Sequence, residues 1–191
     1  MNYYISDLHL GHANVLKFDN RPFRDINHMW ITIRDNWNSV VTPQDTVYIL
    51  GDFCWGKAPD WPGYLDQLQG QKVLIRGNHD LKQFSADLKR RFADIKDYKE
   101  IRDGDYGVIM CHYPIPFYKR GWDKNVYMLY GHVHQTKEYD YMKALRGEVK
   151  SRRKERGDNV ANWINVGCML PYMNYTPRTL EQIIEGDQRF S

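Results

Sequence analysis

Five short apolar runs in this chain each end at, or just before, a side chain that can hold a metal ion, and no other feature restricts its fold as strongly. The runs are Asn2–Ser6, Thr46–Leu50, Lys72–Arg76, Tyr106–Cys111 and Val126–Tyr130, and the side chains that follow are Asp7, Asp52, Asn78, His112 and His132. Length, flanking turn residues and apolar content mark each run as a buried strand. Loops at strand carboxyl ends are where α/β sheets gather their functional groups. A chance scatter of histidines would not line up this way.

A further run at Trp163–Val166 reads as a strand, and so does one around Ile95–Ile101 that turns at Asp103-Gly104 into the next. Amphipathic spacing predicts helices over Ile26–Ser39, Pro59–Gln69, Leu81–Phe92 and Arg178–Glu185. The last has Thr176 as N-cap and Pro177 at its first position. Strands alternating with helices predict an α/β fold. At 191 residues the chain can bury a real core and suits one domain over 1–191.

Residues 137–160 stand apart as a basic insert, predicted to form a helix or hairpin laid over the domain. Within Lys143–Arg156, Lys143, Arg146, Lys150, Arg152, Arg153, Lys154 and Arg156 face only Glu148 and Glu155. The segment is either a solvated face or a contact for nucleotide or polynucleotide phosphate. The net charge of +3 is too small to argue for nucleic-acid binding by overall field.

Cys54, Cys111 and Cys168 are far apart and show no metal or redox spacing, as expected of free thiols in a reducing compartment. The first five residues already read as strand, which leaves no room for a signal peptide. No apolar run approaches the ~18 residues needed to cross a bilayer. These features predict a cytoplasmic protein without a membrane partner.

The strand-end residues belong to five motifs: Asp7-Leu8-His9, Gly51-Asp52, Gly77-Asn78-His79-Asp80, the single His112, and Gly131-His132-Val133-His134. Each is weak alone. Together two Asp, four His and one Asn are a ligand set for two cations, which a two-metal site holds ~3.5–4 Å apart. Adjacent cations repel, so a carboxylate is placed between them, and Asp52 is the natural bridge. Oxygen and imidazole donors together suit Mn, Fe, Zn or Co rather than Ca.

In this order and composition the chain resembles the calcineurin-like metallophosphoesterase superfamily. Within that superfamily it is similar to the small, cap-less prokaryotic and phage phosphoesterases, whose extended first block here runs from Gly11-His12-Ala13-Asn14 to Arg21-Pro22-Phe23. The resemblance spans residues 1–167 and no ligand is substituted. It implies two mixed β-sheets packed face to face and flanked by helices, a four-layer sandwich. It also implies two divalent ions, manganese foremost, with Fe, Zn, Ni or Co as alternatives.

By the same resemblance, Asp7, His9, Asp52 and His134 would take one ion, and Asp52, Asn78, His112 and His132 the other. A metal-bridging hydroxide would attack phosphorus in line. His79 would protonate or stabilise the leaving oxygen. Asp80 would orient His79 through a hydrogen bond, although it could equally cap a helix near Leu81.

On the substrate side the reading stays open. His12 either donates to a ligand or phosphate, or simply packs. Arg21 and Arg24 reach phosphate with their forks, or pair with Asp19 or Asp25. Tyr113 and Trp122 lie in a loop with Pro114 and Pro116, which either stacks a base or is a mobile surface segment. The expected function is a phosphodiesterase on nucleotide-type substrates, with nucleotide or nucleic acid as partner. The alternatives are a phosphomonoesterase (a phosphoprotein phosphatase included), a non-catalytic metal-binding scaffold, and a nucleic-acid-binding module built on the basic segment.

Overall fold

A computed structural model describes residues 1–55, 57, 60–154 and 160–190. β1 (Asn2–Ile5), β2 (Thr46–Ile49), β3 (Gln71–Ile75) and β4 (Asp94–Lys96) form one sheet in that order, with every neighbouring pair parallel. β5 (Tyr98–Asp103), β6 (Tyr106–Cys111), β7 (Val126–Tyr130) and β8 (Trp163–Asn165) form a second sheet. There β5 and β6 are antiparallel and the other pairs parallel. Two four-stranded sheets with flanking helices are the expected architecture, but only the second sheet is mixed.

The expected single strand over Ile95–Ile101 is corrected to two strands in different sheets. The backbone N–H of Arg76 donates to the Lys96 carbonyl (2.8 Å) as the last rung beside β3. The chain then leaves that sheet at Asp97, which the Arg76 guanidinium holds through two bonds of 2.7 and 2.6 Å. From Tyr98 it pairs with β6 instead.

Side chains alternate across a strand, so each strand of the second sheet serves two cores. Val108, Met110, Leu129 and Ile164 join Ile5, Val47, Ile49 and Val73 of the first sheet in the main core. Ile109, Met128, Tyr130 and Trp163 turn the other way into a second cluster. That outer cluster is covered by Tyr139, Met142, Leu145 and Val149 of α5 (Lys137–Lys154). The basic insert is therefore a helix, not a hairpin; Glu155 and Arg156 lie outside the described residues. Arg146 of this helix pairs with Asp187 at 2.7 Å and Arg153 donates to the Gly121 and Val160 carbonyls, so both hold structure.

α1 (Val15–Phe18) follows the first motif. α2 (Ile26–Val40) buries Met29, Ile33 and Trp37, spaced by four, against the main core. The Asp25 side chain caps it by accepting the His28 N–H at 2.8 Å. α3 is Trp61–Leu65, shorter than the predicted Pro59–Gln69, whose Pro59 lies outside the described residues. α4 is only Ala86–Lys89, capped by Ser85, because Leu81 and Phe84 of the longer predicted helix serve as irregular packing residues.

α6 (Leu180–Phe190) begins later than predicted. Arg178 is held extended as a bridge to Tyr4. The start belongs to Thr179 and Gln182, each side chain facing the other's backbone N–H at 3.4 and 3.1 Å, a capping box that replaces the expected Thr176 cap.

Candidate metal centre

The two sheets meet at their strand ends. Ser6, just past β1, bridges to Gly167, just past β8: its N–H donates to the Val166 carbonyl (2.9 Å) and its carbonyl accepts from the Cys168 N–H (3.0 Å). This junction brings the motif loops of both sheets to one place. Asp7, His9 and His134 form one buried triad of ligand atoms, and Asp7, Asp52 and His112 another.

The backbone that carries these groups is unusual. Of nine non-glycine residues with positive φ among the described residues, five are motif residues: Asp7, His9, Asp52, His132 and His134. That conformation is costly outside glycine and persists where the surroundings enforce it, as at functional sites. Two glycines make the packing possible. Gly51 has φ +86°, and a Cβ there would lie 2.3 Å from His112 Nδ1. A Cβ on Gly77 would lie 2.2 Å from Asp52 Oδ1.

Polar contacts set the geometry. His9 Nε2 lies 3.2 Å from His134 Nε2. Asp52 Oδ2 lies 3.5 Å from both His9 Nε2 and His112 Nε2, so this carboxylate sits between the two histidine sets. His112 Nδ1 lies 2.8 Å from the Leu50 carbonyl, which fixes the proton there and leaves Nε2 as a donor to metal. Asn78 Oδ1 is 3.0 Å from His112 Nε2 and 3.0 Å from His132 Nδ1. Asp7 accepts the Ser6 hydroxyl at 2.6 Å and the His132 N–H at 3.0 Å. All seven expected ligands are thus brought together.

A cation fits this donor set on chemical grounds. Asp7 and Asp52 are buried, and their ion-pair contacts are to histidines, with no lysine or arginine among the described residues. Buried carboxylates without compensating charge are costly. Burial, and then the neighbouring His134, holds His9 neutral, with a pKa lowered to about 2. Burial, together with the charge of Asp7, raises the pKa of Asp52. The centre therefore offers lone pairs and negative charge to a positive ion.

Behind His134 stands a residue the sequence reading passed over as a ligand support. Asp19 Oδ1 lies 3.1 Å from His134 Nδ1, close enough to act on the ring although too oblique for a well-aligned hydrogen bond. Burial lowers the His134 pKa, but Asp19 and Asp7 outweigh it and the net shift is upward. Asp19 is held in turn by Arg21 Nε at 2.8 Å. The Arg21 fork also donates to the Asp7 and Leu8 carbonyls, at 2.7 and 2.9 Å. Its position two residues before Arg21 was the only available signal for Asp19.

The expected substrate role of Arg21 is therefore corrected: the guanidinium is buried and committed to the fold. Arg24 is exposed and pairs with its neighbour Asp25 at 2.8 Å, which fulfils the ion-pair alternative. The expected hydrogen bond from Asp80 to His79 is also corrected. The Asp80 carboxylate accepts the N–H groups of Gly77, Asp52 and Phe53 at 2.8, 3.0 and 2.9 Å, so it ties two motif loops together and caps no helix at Leu81. Burial raises its pKa to about 6.

His79 is exposed, and its N–H donates to Asp52 Oδ1 at 2.9 Å. His12 stacks flat on Trp55, with ring centroids 4.0 Å apart. Tyr113 sets its ring against His132 at 4.7 Å and borders a groove of about 400 Å³ with Arg76, Asn78 and Lys82. Trp122 is exposed and makes no ring contact with the centre among the described residues. Among those residues no helix is long and apolar enough to cross a membrane.

The sequence pattern of the Calcineurin-like phosphoesterase (Metallophos) family matches residues 3–170. An uncharacterised protein of Methanocaldococcus jannaschii is 31% identical over 185 residues, covering 96% of this chain and 89% of that protein. The Gene 66 protein of Mycobacterium phage D29 is 28% identical over 157 residues, covering 69% and 77%. A crystal structure of a protein of unknown function from Aquifex aeolicus superposes with a TM-score of 0.68 at 28% identity, covering 97% of this chain and 98% of that one.

Proposed function

This chain belongs to the calcineurin-like phosphoesterase family, and from that premise we propose a phosphodiesterase dependent on two divalent cations and acting on nucleotide-type substrates. The observation that carries the reading is the place of Asp52, equidistant at 3.5 Å from His9 and His112, where a carboxylate can serve two ions at once. Asp7, His9, Asp52 and His134 would hold one cation, and Asp52, Asn78, His112 and His132 the other. Manganese suits this mixture of oxygen and imidazole donors. Bound there, the cations supply the Lewis acidity that polarises a phosphoryl oxygen and makes water nucleophilic near neutral pH.

The chain's own groups do the rest. His79, exposed at the centre's edge and tied through its N–H to Asp52, delivers a proton to the departing oxygen. Asp80 holds the Gly77 and Asp52 loops in register, and so positions His79 through the backbone. Arg21 and Asp19 fix the loop of the first motif. Cys54, Cys111 and Cys168 form no disulfide, in accord with a cytoplasmic setting.

The test is hydrolysis of bis-p-nitrophenyl phosphate by folded protein with Mn²⁺, beside p-nitrophenyl phosphate. Turnover of the diester above the monoester is expected. Faster turnover of the monoester would make the protein a phosphomonoesterase. No turnover of either with Mn²⁺, Fe²⁺, Zn²⁺, Ni²⁺ or Co²⁺ would leave a metal-binding scaffold.

A further inference from the structure

Four rings stand in series along one side of the centre. Phe18 lies 5.6 Å from His12, His12 4.0 Å from Trp55, and Trp55 4.6 Å from His79, measured between centroids. All four lie over His9, at 6.4, 5.8, 6.4 and 5.5 Å. Phe18 is 59% exposed and Trp55 46% exposed at the edge of a charged site, and His12, lying 7° from parallel with Trp55, covers one face of that ring and backs it. Single exposed apolar residues need no explanation, but a contiguous patch rimmed by polar groups marks a binding surface.

The rings are held in place by the backbone. Trp55 N–H donates to the Leu10 carbonyl at 2.9 Å, Leu10 N–H to Phe53 at 3.0 Å, and His12 N–H to His9 at 3.1 Å. Phe18 is followed by Asp19, which is pinned between Arg21 and His134. A surface ordered before binding loses little entropy when a ligand arrives.

We propose that Phe18 and Trp55, the latter backed by His12, form a stacking platform for a planar aromatic group, the base of a nucleotide, on the side of the centre that carries His79. The proposal rests on the phosphoesterase reading above and adds to it the part of the substrate beyond phosphorus. A phosphate at the metal centre and a base on this row are recognised by separate chemistry: charge for the first, ring faces for the second. Stacking tolerates any base, so the platform selects nucleotides over aliphatic phosphates without selecting among bases.

Calorimetric titration of the Mn²⁺-loaded protein with adenosine 5′-monophosphate and with ribose 5-phosphate separates the two contributions. The ligands share a phosphate and differ by the base. The nucleotide should bind at least ~10-fold tighter, as stacking of one base on an aromatic side chain predicts. Trp55→Leu and Phe18→Leu should each collapse that ratio toward one, while Trp122→Leu should keep it. Equal binding of the two ligands by the native protein, or an unchanged ratio in both Trp55→Leu and Phe18→Leu, overturns the platform. Both substitutions are at exposed side chains, and thermal melting verifies that the variants are folded. Binding is read without turnover, so an inactive protein that still prefers the nucleotide would retain the platform and lose the hydrolase reading. An active protein without the preference would do the reverse.

Discussion

The two sheets contribute different chemistry to the same centre. Loops of the all-parallel sheet carry the candidate oxygen ligands Asp7, Asp52 and Asn78 together with His9. Loops of the mixed sheet carry only imidazoles, those of His112, His132 and His134. Neither half alone would make a dinuclear site: one concentrates carboxylates without enough imidazoles, and the other offers imidazoles without a carboxylate. The contacts that join them cross the interface, with His112 on the Leu50 carbonyl and the His132 N–H on Asp7. A cation bound there is a clasp between the layers as well as a reagent.

The strongest way to break this arrangement is Asp52→Ala, which removes a carboxylate 3.5 Å from a histidine of each sheet. Activity should fall by ~10³-fold or more, as loss of a central electrostatic group does, and elemental analysis should show metal lost as well. If Asp52→Ala and His79→Ala proved equally metallated, the bridging role would be wrong. His79→Ala should come next, with kcat down by ~10²–10⁴-fold at retained metal content.

Asp19→Asn sharpens the comparison within the His9–His134 pair, because among the described residues a carboxylate backs Nδ1 of His134 but not Nδ1 of His9. Metal affinity should weaken by ~10–100-fold, as for other groups that orient a ligand histidine. Unchanged affinity would reduce Asp19 to a partner of Arg21.

Chelation should loosen the clasp. Free metal at 100 times its dissociation constant stabilises by ~2.7 kcal/mol, so treatment with a chelator should lower the melting temperature. In the metal-free protein His9 should favour unfolding as the pH falls from 7 to 5. His9 has its folded pKa lowered to about 2 from 6.5, so its contribution is complete above 6.5 and is lost as pH falls toward the folded value. Asp80, raised to about 6, and Asp52 and His134, also raised, act in the opposite sense, because their contributions are lost as pH rises. His9→Gln, which does not titrate, should therefore be less weakened by acidification than the native chain. Urea unfolding of chelated protein at the two pH values measures it.

Most of the centre was legible because its residues follow apolar runs that could only be strands, and because a two-metal site needs several ligands of restricted type. What escaped was contact across the chain. Arg21 read as either a phosphate ligand or a partner of Asp19 or Asp25; it pairs with Asp19, and its other acceptors, the main-chain carbonyls of Asp7 and Leu8, have no signal in sequence. Asp80 read as a partner of its neighbour His79, yet it binds N–H groups of a loop 27 and 28 residues away. Trp55 carried no motif at all, and its role depends on lying flat against His12. The helix over Leu81–Phe92 was overestimated because apolar spacing cannot tell a helical face from an irregular loop packed on Trp61.

Side-chain chemistry at strand ends was enough, by itself, to determine the α/β class, the seven candidate ligands and their family, since donor type and order along the chain are properties of single residues. Tertiary structure alone decided that the strand after β3 splits between sheets, that Asp19 and Arg21 buttress a ligand loop, and that aromatic rings line one wall. Those outcomes depend on distances between residues remote in sequence, and such distances exist only once the layers have packed.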